Sequence, residues 1–171
     1  MKSLICVLIV LFLIPSCKND DFDEPDVRTF VAMIKSGSYD YCEINDAGNP
    51  LWLRMPVFSG KNIPDLLELA TDTTHIGAFP LNPISSVAPE RLILGECLLW
   101  IVEGIRINRP YASLNPLLAV RYESQNSRTE LTGDDVLKVY RIYQEWWEKV
   151  KGDPYLMKQI NPLKGTPYFW R

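Results

Sequence analysis

The chain has 171 residues, 18 of them basic and 21 acidic, a formal net charge of −3, and 47% hydrophobic side chains. Mild acidity without a basic block argues against nucleic acid as a partner and against charge-driven adhesion to an anionic membrane. One histidine, His75, and four cysteines without ligand spacing give no expected metal site, and no phosphate-cradling glycine loop or dinucleotide fingerprint points to a cofactor.

Lys2 precedes an apolar run over residues 4–14, which ends in Leu13-Ile14-Pro15-Ser16-Cys17. A positive start, a short apolar core and a small residue before a cleavage point are the parts of a secretory signal peptide. The run is too short to cross a bilayer as a helix, which needs about 17–25 residues. An apolar residue, a small residue and then cysteine, supplied by Ile14, Ser16 and Cys17, look like a bacterial lipoprotein signal. Residues 1–16 are then removed, and the Cys17 thiol receives the lipid as the first residue of the mature chain. Each buried CH₂ of such an anchor contributes about 0.8 kcal/mol, and the membrane becomes a partner through the lipid.

After Cys17 the chain turns acidic, with Asp20, Asp21, Asp23, Glu24 and Asp26. The segment Lys18-Asn19-Asp20-Asp21 resembles the acidic export signal of surface lipoproteins of the Bacteroidetes, with Asp20 and Asp21 as its core. That resemblance implies an outer-membrane, lipid-anchored protein facing the outside of the cell. The alternative is a solvated spacer on a periplasmic protein, since acidic runs of low hydrophobicity stay disordered.

Residues 17–26 read as tether and 27–171 as one domain, a normal size for a single core. Val27, Phe30, Val31 and Ile34 recur at i, i+3, i+4, i+7, the face of a first helix, with Pro25 in its first turn and Gly37 at its end. Residues 39–44 and 51–55 flank the turn-rich 45–50 and predict a short β-hairpin near 39–55. Asn62 is placed to cap a second helix, with Pro64 and Asp65 in its first turn. Residues 71–88 read as a long ordered loop. Residues 89–107 form a helix apolar almost all round, expected at the centre of the fold. Its Gly95 and Gly104 allow close approach of neighbours, since helical glycine otherwise costs about 1 kcal/mol.

Thr132 and Asp135 form a capping-box variant ahead of a long amphipathic helix. Val136, Val139, Tyr140, Tyr143, Trp147 and Val150 share one face, and Lys138, Arg141, Glu145, Glu148 and Lys149 the other. Trp146 lies about 100° from Trp147 around the helix, at the edge of the stripe. Trp147 is therefore expected in the core and Trp146 as an exposed ring. A short helix over 155–160 and the aromatic tail Tyr168-Phe169-Trp170 close the domain. Asn82-Pro83, Asn115-Pro116 and Asn161-Pro162 reuse one turn chemistry, asparagine leading and proline fixing φ. Together these elements predict a mainly α fold, an irregular HEAT-like stack of about four to six helices with long ordered loops and the one hairpin.

Through Asn62-Ile63-Pro64-Asp65-Leu66-Leu67, Asn82-Pro83-Ile84-Ser85-Ser86, the segment from Leu99 through Glu103 to Arg106, and Tyr143-Gln144-Glu145-Trp146-Trp147, the chain resembles a group of small uncharacterised Bacteroidetes lipoproteins, a domain of unknown function. The resemblance implies location and a mostly helical fold, and supplies no activity.

Glu96 and Glu103 are the best pair of carboxylates, about 20° apart around the helix and about 10.5 Å apart along it. On an apolar helix each needs a partner or a raised pKa. As general acid and base they would suit a glycosidase, whose carboxyls stand about 5–9.5 Å apart. As structural groups, Glu103 pairs with Arg106, and Glu96 with Arg91, Arg121 or a backbone amide. His75 is either a general base for Cys42 or a serine or a surface histidine. Cys42 and Cys97 either form a disulfide or stay free. Trp146, Glu96, Glu103 and His75 are thus the candidate binding residues, with no catalytic residue assigned. The reading is a non-catalytic interaction module with a protein or glycan partner. The alternatives are a hydrolase of extracellular glycan or peptide and a structural envelope component.

Overall fold

The computed structural model describes residues 25–86, 89–122 and 125–171. The expected signal peptide over 1–16, the expected lipidation residue Cys17, the expected export pair Asp20 and Asp21 and most of the expected 17–26 tether lie outside the described residues.

Helix α1 (Val27–Ser36) buries Val27, Phe30, Val31 and Ile34. Asp26 caps it, accepting a hydrogen bond from Thr29 N at 2.6 Å. Gly37, at φ 71, ends it. A hairpin follows, β1 (Cys42–Ile44) antiparallel to β2 (Pro50–Leu53). A 3-10 turn (Gly60–Asn62) then leads into α2 (Ile63–Leu69). Asn62 does not cap α2 with its side chain. Instead it accepts from Ser59 N at 2.9 Å and donates from Nδ2 to the Pro25 carbonyl at 3.3 Å, fastening the start of α1 to the start of α2.

Strand β3 (His75–Ile76) pairs antiparallel with β4 (Leu92–Ile93), which runs directly into α3 (Leu94–Arg106). Residues 89–93 are therefore not helical, contrary to the expectation of one helix over 89–107. The cause is pairing with the 72–76 segment: Leu94 N donates to Thr74 O and Gly95 N to Asp72 O, so strand-like pairing satisfies the first amides of the helix. A Cβ at Gly95 would run into the Ala70 carbonyl, so only glycine lets α3 sit this close to the end of α2. Helix α3 is central, with Leu94, Leu98, Leu99, Trp100 and Val102 fully enclosed.

Strand β5 (Leu118–Tyr122) lies between β6 (Gln125–Glu130) and β7 (Tyr168–Trp170) in a three-stranded antiparallel sheet. Helices α4 (Gly133–Val150) and α5 (Pro154–Gln159) separate the second and third of these strands in sequence. The described residues thus hold five α-helices and three small antiparallel sheets, a mixed α/β architecture. This overturns the mainly helical, HEAT-like expectation. Two causes are visible. Residues 125–130, Gln-Asn-Ser-Arg-Thr-Glu, carry no apolar period to mark a strand. The aromatic tail gains its strand character only by pairing with 118–120, some fifty residues upstream.

Helix α4 has the expected capping box of Thr132 and Asp135. Its buried stripe is Val136, Val139, Tyr143, Trp146 and Val150. Trp146 is 3% exposed and packs edge-on against Tyr143, with ring centroids 6.0 Å apart. Trp147 is only partly buried. The expectation for the two tryptophans is therefore reversed. Both fit helical spacing from Tyr143, and the three-four alternation that starts at Val136 selects Trp146. Two of the Asn-Pro turns share their chemistry, Asn82 Oδ1 accepting from Ile84 N and Asn161 Oδ1 from Leu163 N. The third asparagine, Asn115, is buried and accepts from Ser85 Oγ at 2.7 Å.

Candidate binding groove

Glu96 lies in the first turn of α3, buried, and accepts a hydrogen bond from Leu118 N of β5. It joins β5 to α3 and lines a cleft of about 290 Å³ together with His75, Arg91 and Thr132. His75 is exposed, its Nε2 3.1 Å from Arg91 Nη2. The structure therefore brings Glu96 and His75 to one cleft. Cys42 lies on the β1–β2 hairpin and does not line it. Cys42 and Cys97 are both free, and burial pushes the Cys97 thiol well above its ordinary pKa. Among the described residues no group of three or more His, Cys, Asp or Glu is placed to hold a metal.

Glu103 is turned to other partners. Arg106 donates from Nε to Oε2 at 2.8 Å and from Nη2 to Oε1 at 2.6 Å, a buried bidentate pair. Tyr143 OH donates to the same Oε2 at 2.9 Å, and Trp170 Nε1 donates to Tyr143 OH at 2.9 Å. Hydrogen bonding to Glu103 raises the Arg106 pKa. Burial, then the Glu103 charge, pushes the Tyr143 phenol well above its ordinary value. The pairing of Glu103 with Arg106 is thus as the i, i+3 spacing suggested, and it extends to α4 and β7. The Glu103 charge is compensated by Arg106, and its two oxygens accept three hydrogen bonds within the protein.

Arg106 carries this network one step further. Its Nη1 donates to the Lys158 carbonyl at 3.3 Å, holding the end of α5. The start of α5 is fixed by Asp153, which accepts from Tyr155 N at 2.8 Å and Leu156 N at 3.1 Å ahead of Pro154. The helix buries no residue of its own. These end contacts set its position, and its inner side walls a groove.

That groove has a volume of about 890 Å³, within the roughly 300–1,000 Å³ typical of ligand sites. Ile101 and Ile105 of α3 and Trp147 and Val150 of α4 line it from the core side. Residues 55–61 line it before α2, and Met157 lines it from α5. Residues 108–110 complete the lining after a Schellman turn, in which Arg109 N donates to Gly104 O at 2.9 Å and Asn108 N to Ile105 O at 3.1 Å. Asn108 takes the left-handed position at φ 56. A Cβ at Gly104 would sit 2.9 Å from the Arg109 carbonyl, so glycine is what allows the turn to close there.

The apolar surfaces of the groove are accompanied by four cationic side chains, Lys61, Arg109, Lys151 and Lys158. Among the described residues no carboxylate lines it. Lys151 also reaches Glu148 at 2.6 Å, an exposed pair that a bound anion can exchange at little cost. Sequence reasoning missed this site because its parts come from three separate stretches of chain, 55–64, 101–110 and 147–158. The partial signal was Trp147, left over once the three-four alternation places Trp146 in the core.

A family model described as a domain of unknown function (DUF4943) matches residues 21–171. No curated protein and no solved structure matches the chain. Among the described residues no helix is long and apolar enough to cross a membrane.

Proposed function

We propose that this chain, which belongs to the DUF4943 family over residues 21–171, is a lipid-anchored outer-membrane protein whose domain is a non-catalytic binding module. The anchor is Cys17, on the strength of the Ile14-Pro15-Ser16-Cys17 sequence. Outward display rests on the likeness of Lys18-Asn19-Asp20-Asp21 to the export signal of Bacteroidetes surface lipoproteins. The groove is the binding site, and its partner is a protein segment that carries apolar side chains among carboxylates.

The observation that carries this reading is the combination of apolar lining and four cations, with no carboxylate among the described residues that line the groove. A glycan would call for a fully exposed aromatic platform; Trp146 is buried, and the rings that line the groove, Phe58 and Trp147, are themselves partly buried and stand beside cations. A peptide supplies both an apolar anchor and dispersed negative charge, the complement of this groove. The hydrolase alternative loses its second carboxylate, since Glu103 is held by Arg106 and Tyr143.

Selection of displayed random peptides on the purified domain tests the proposal. The expected winners place an aromatic or aliphatic residue among Asp and Glu, and lose binding to a Lys151→Glu, Lys158→Glu variant. Winners that are basic, or that bind the variant equally, would contradict it.

A further inference from the structure

We infer that the partner segment enters the groove as an amphipathic α-helix, with its apolar side chains inward and carboxylates along its flanks. This names the form of the occupant and rests on the groove being the peptide-binding site proposed above.

An entering backbone finds no strand to pair with. Among the described residues, none that lines the groove belongs to a β-strand. Pro56, Pro64, Pro110 and Pro154 line it and carry no N–H. Further amides of the lining are spent inside the fold. Phe58 N donates to Pro56 O, Ser59 N to Asn62 Oδ1, Asn108 N to Ile105 O and Arg109 N to Gly104 O. Strand addition, which takes its affinity from main-chain hydrogen bonds to a sheet edge, has nothing to add to here. A segment apolar enough to fill the groove must satisfy its own amides and carbonyls, and a helix does so internally.

The walls have the matching relief. Ile101 and Ile105 of α3 stand at i, i+4. Trp147, Val150 and the α4 C-cap Lys151 stand at i, i+3, i+4, as do Pro154, Met157 and Lys158 of α5. Such rows are what the ridges of another helix pack between. Ile101 and Val150 are buried at the base, and Val57 stands exposed at the edge. The volume of about 890 Å³ holds about thirty groups the size of a water, at about 30 Å³ each. Several side chains therefore enter together, and a helix offers them on one face at i, i+3, i+4 and i+7.

Lys61 already has a partner. The charge on offer is that of Arg109 after α3, Lys151 at the end of α4 and Lys158 on α5. Carboxylates beside the apolar stripe of an entering helix complement these three cations.

Three synthetic peptides of about fifteen residues, a length at which an isolated helix is marginal in water, test this. The first has leucine at i, i+3, i+4 and i+7, glutamate beside these positions and alanine elsewhere. The second has the same composition with leucine and glutamate alternating. The third is the first with proline at its centre. Each is titrated calorimetrically into the chain from residue 17, with Cys17→Ser to keep it in solution. The first should bind at least tenfold more tightly than the others and lose at least tenfold on a Lys151→Glu, Lys158→Glu variant. With ¹³C label, its bound Cα shifts should be helical. Equal or tighter binding of the second peptide, or extended shifts in the bound first peptide, would overturn the helix. Tightest binding of the third would also overturn it, in favour of a polyproline-type segment. If none of the three binds while a selected peptide does, the helix falls and the groove stays as the site. If no selected peptide binds, or if binding is the same on the variant, the groove reading itself falls.

Discussion

The hydroxyl of Tyr143 on α4 donates to the Oε2 of Glu103 on α3 at 2.9 Å, 40 residues away in sequence. This bond joins the two longest helices among the described residues through a carboxylate that Arg106 already neutralises, and Arg106 in turn holds the last turn of α5. The buried charge therefore serves to position a wall of the groove.

Removing either end of that bond separates structure from chemistry. Glu103→Ala leaves the Arg106 charge buried without its partner and should destabilise the fold by about 3–5 kcal/mol. Tyr143→Phe removes one hydrogen bond to a charged acceptor and should cost about 1.5–3 kcal/mol. Denaturant melts measure both. A Glu103→Ala variant as stable as the parent would show that the carboxylate is not a structural group.

The two neighbouring tryptophans should behave oppositely. Trp146→Ala empties a core position and should cost about 3–5 kcal/mol. Trp147→Ala, at a partly exposed site lining the groove, should cost much less and weaken peptide binding. Thermal melts together with binding titrations distinguish the two. Trp146 Nε1 is also a buried donor without a hydrogen-bond partner, so Trp146→Phe should lose less stability than the volume change alone would suggest.

How much of this was legible beforehand follows a physical divide. Local signals were readable: the Val27-Phe30-Val31-Ile34 face, the Thr132–Asp135 box and the Glu103–Arg106 spacing each depend on residues one or two turns apart. Long-range pairings were not. Strand β7 exists because 168–170 meet 118–120, and β6 carries a polar sequence with no period. The same limit hid the groove, whose lining converges from α3, α4, α5 and the 55–61 loop. Glu96 and Glu103 are both buried, but helix spacing alone could not show that neighbours from β5 and α4 engage them separately.

Acid should expose one specific ion pair. Asp72 has its pKa lowered from 3.8 to about 2, chiefly by the hydrogen bond from Lys35 and next by Thr74. A group with a depressed folded pKa contributes stability above its unfolded value, and that contribution is lost as pH falls through the folded value. The parent should therefore lose stability between about pH 4 and about pH 2 more steeply than Asp72→Asn. Melts across this window in both proteins test it. Parallel curves would remove Asp72 from the acid response.

The proposed anchoring depends on Cys17. Labelled palmitate should enter the parent in cells and not a Cys17→Ala variant, and equal labelling would end the lipoprotein reading. Replacing Asp20 and Asp21 with alanine should reduce surface display with the lipid retained, as read by external protease on intact cells. Equal digestion of parent and variant would leave the acidic run as a spacer.

The most direct test of the account is calorimetric titration of one selected acidic, aromatic peptide into three proteins: the parent, Lys151→Glu with Lys158→Glu, and Lys138→Glu with Lys149→Glu. The second protein changes cations that line the groove, and the third changes two lysines that do not line it. Binding to the parent and the third protein, with at least a tenfold loss in the second and a steep dependence on salt, is the predicted result. Equal losses in both variants, or no loss in either, would contradict the groove as the binding site.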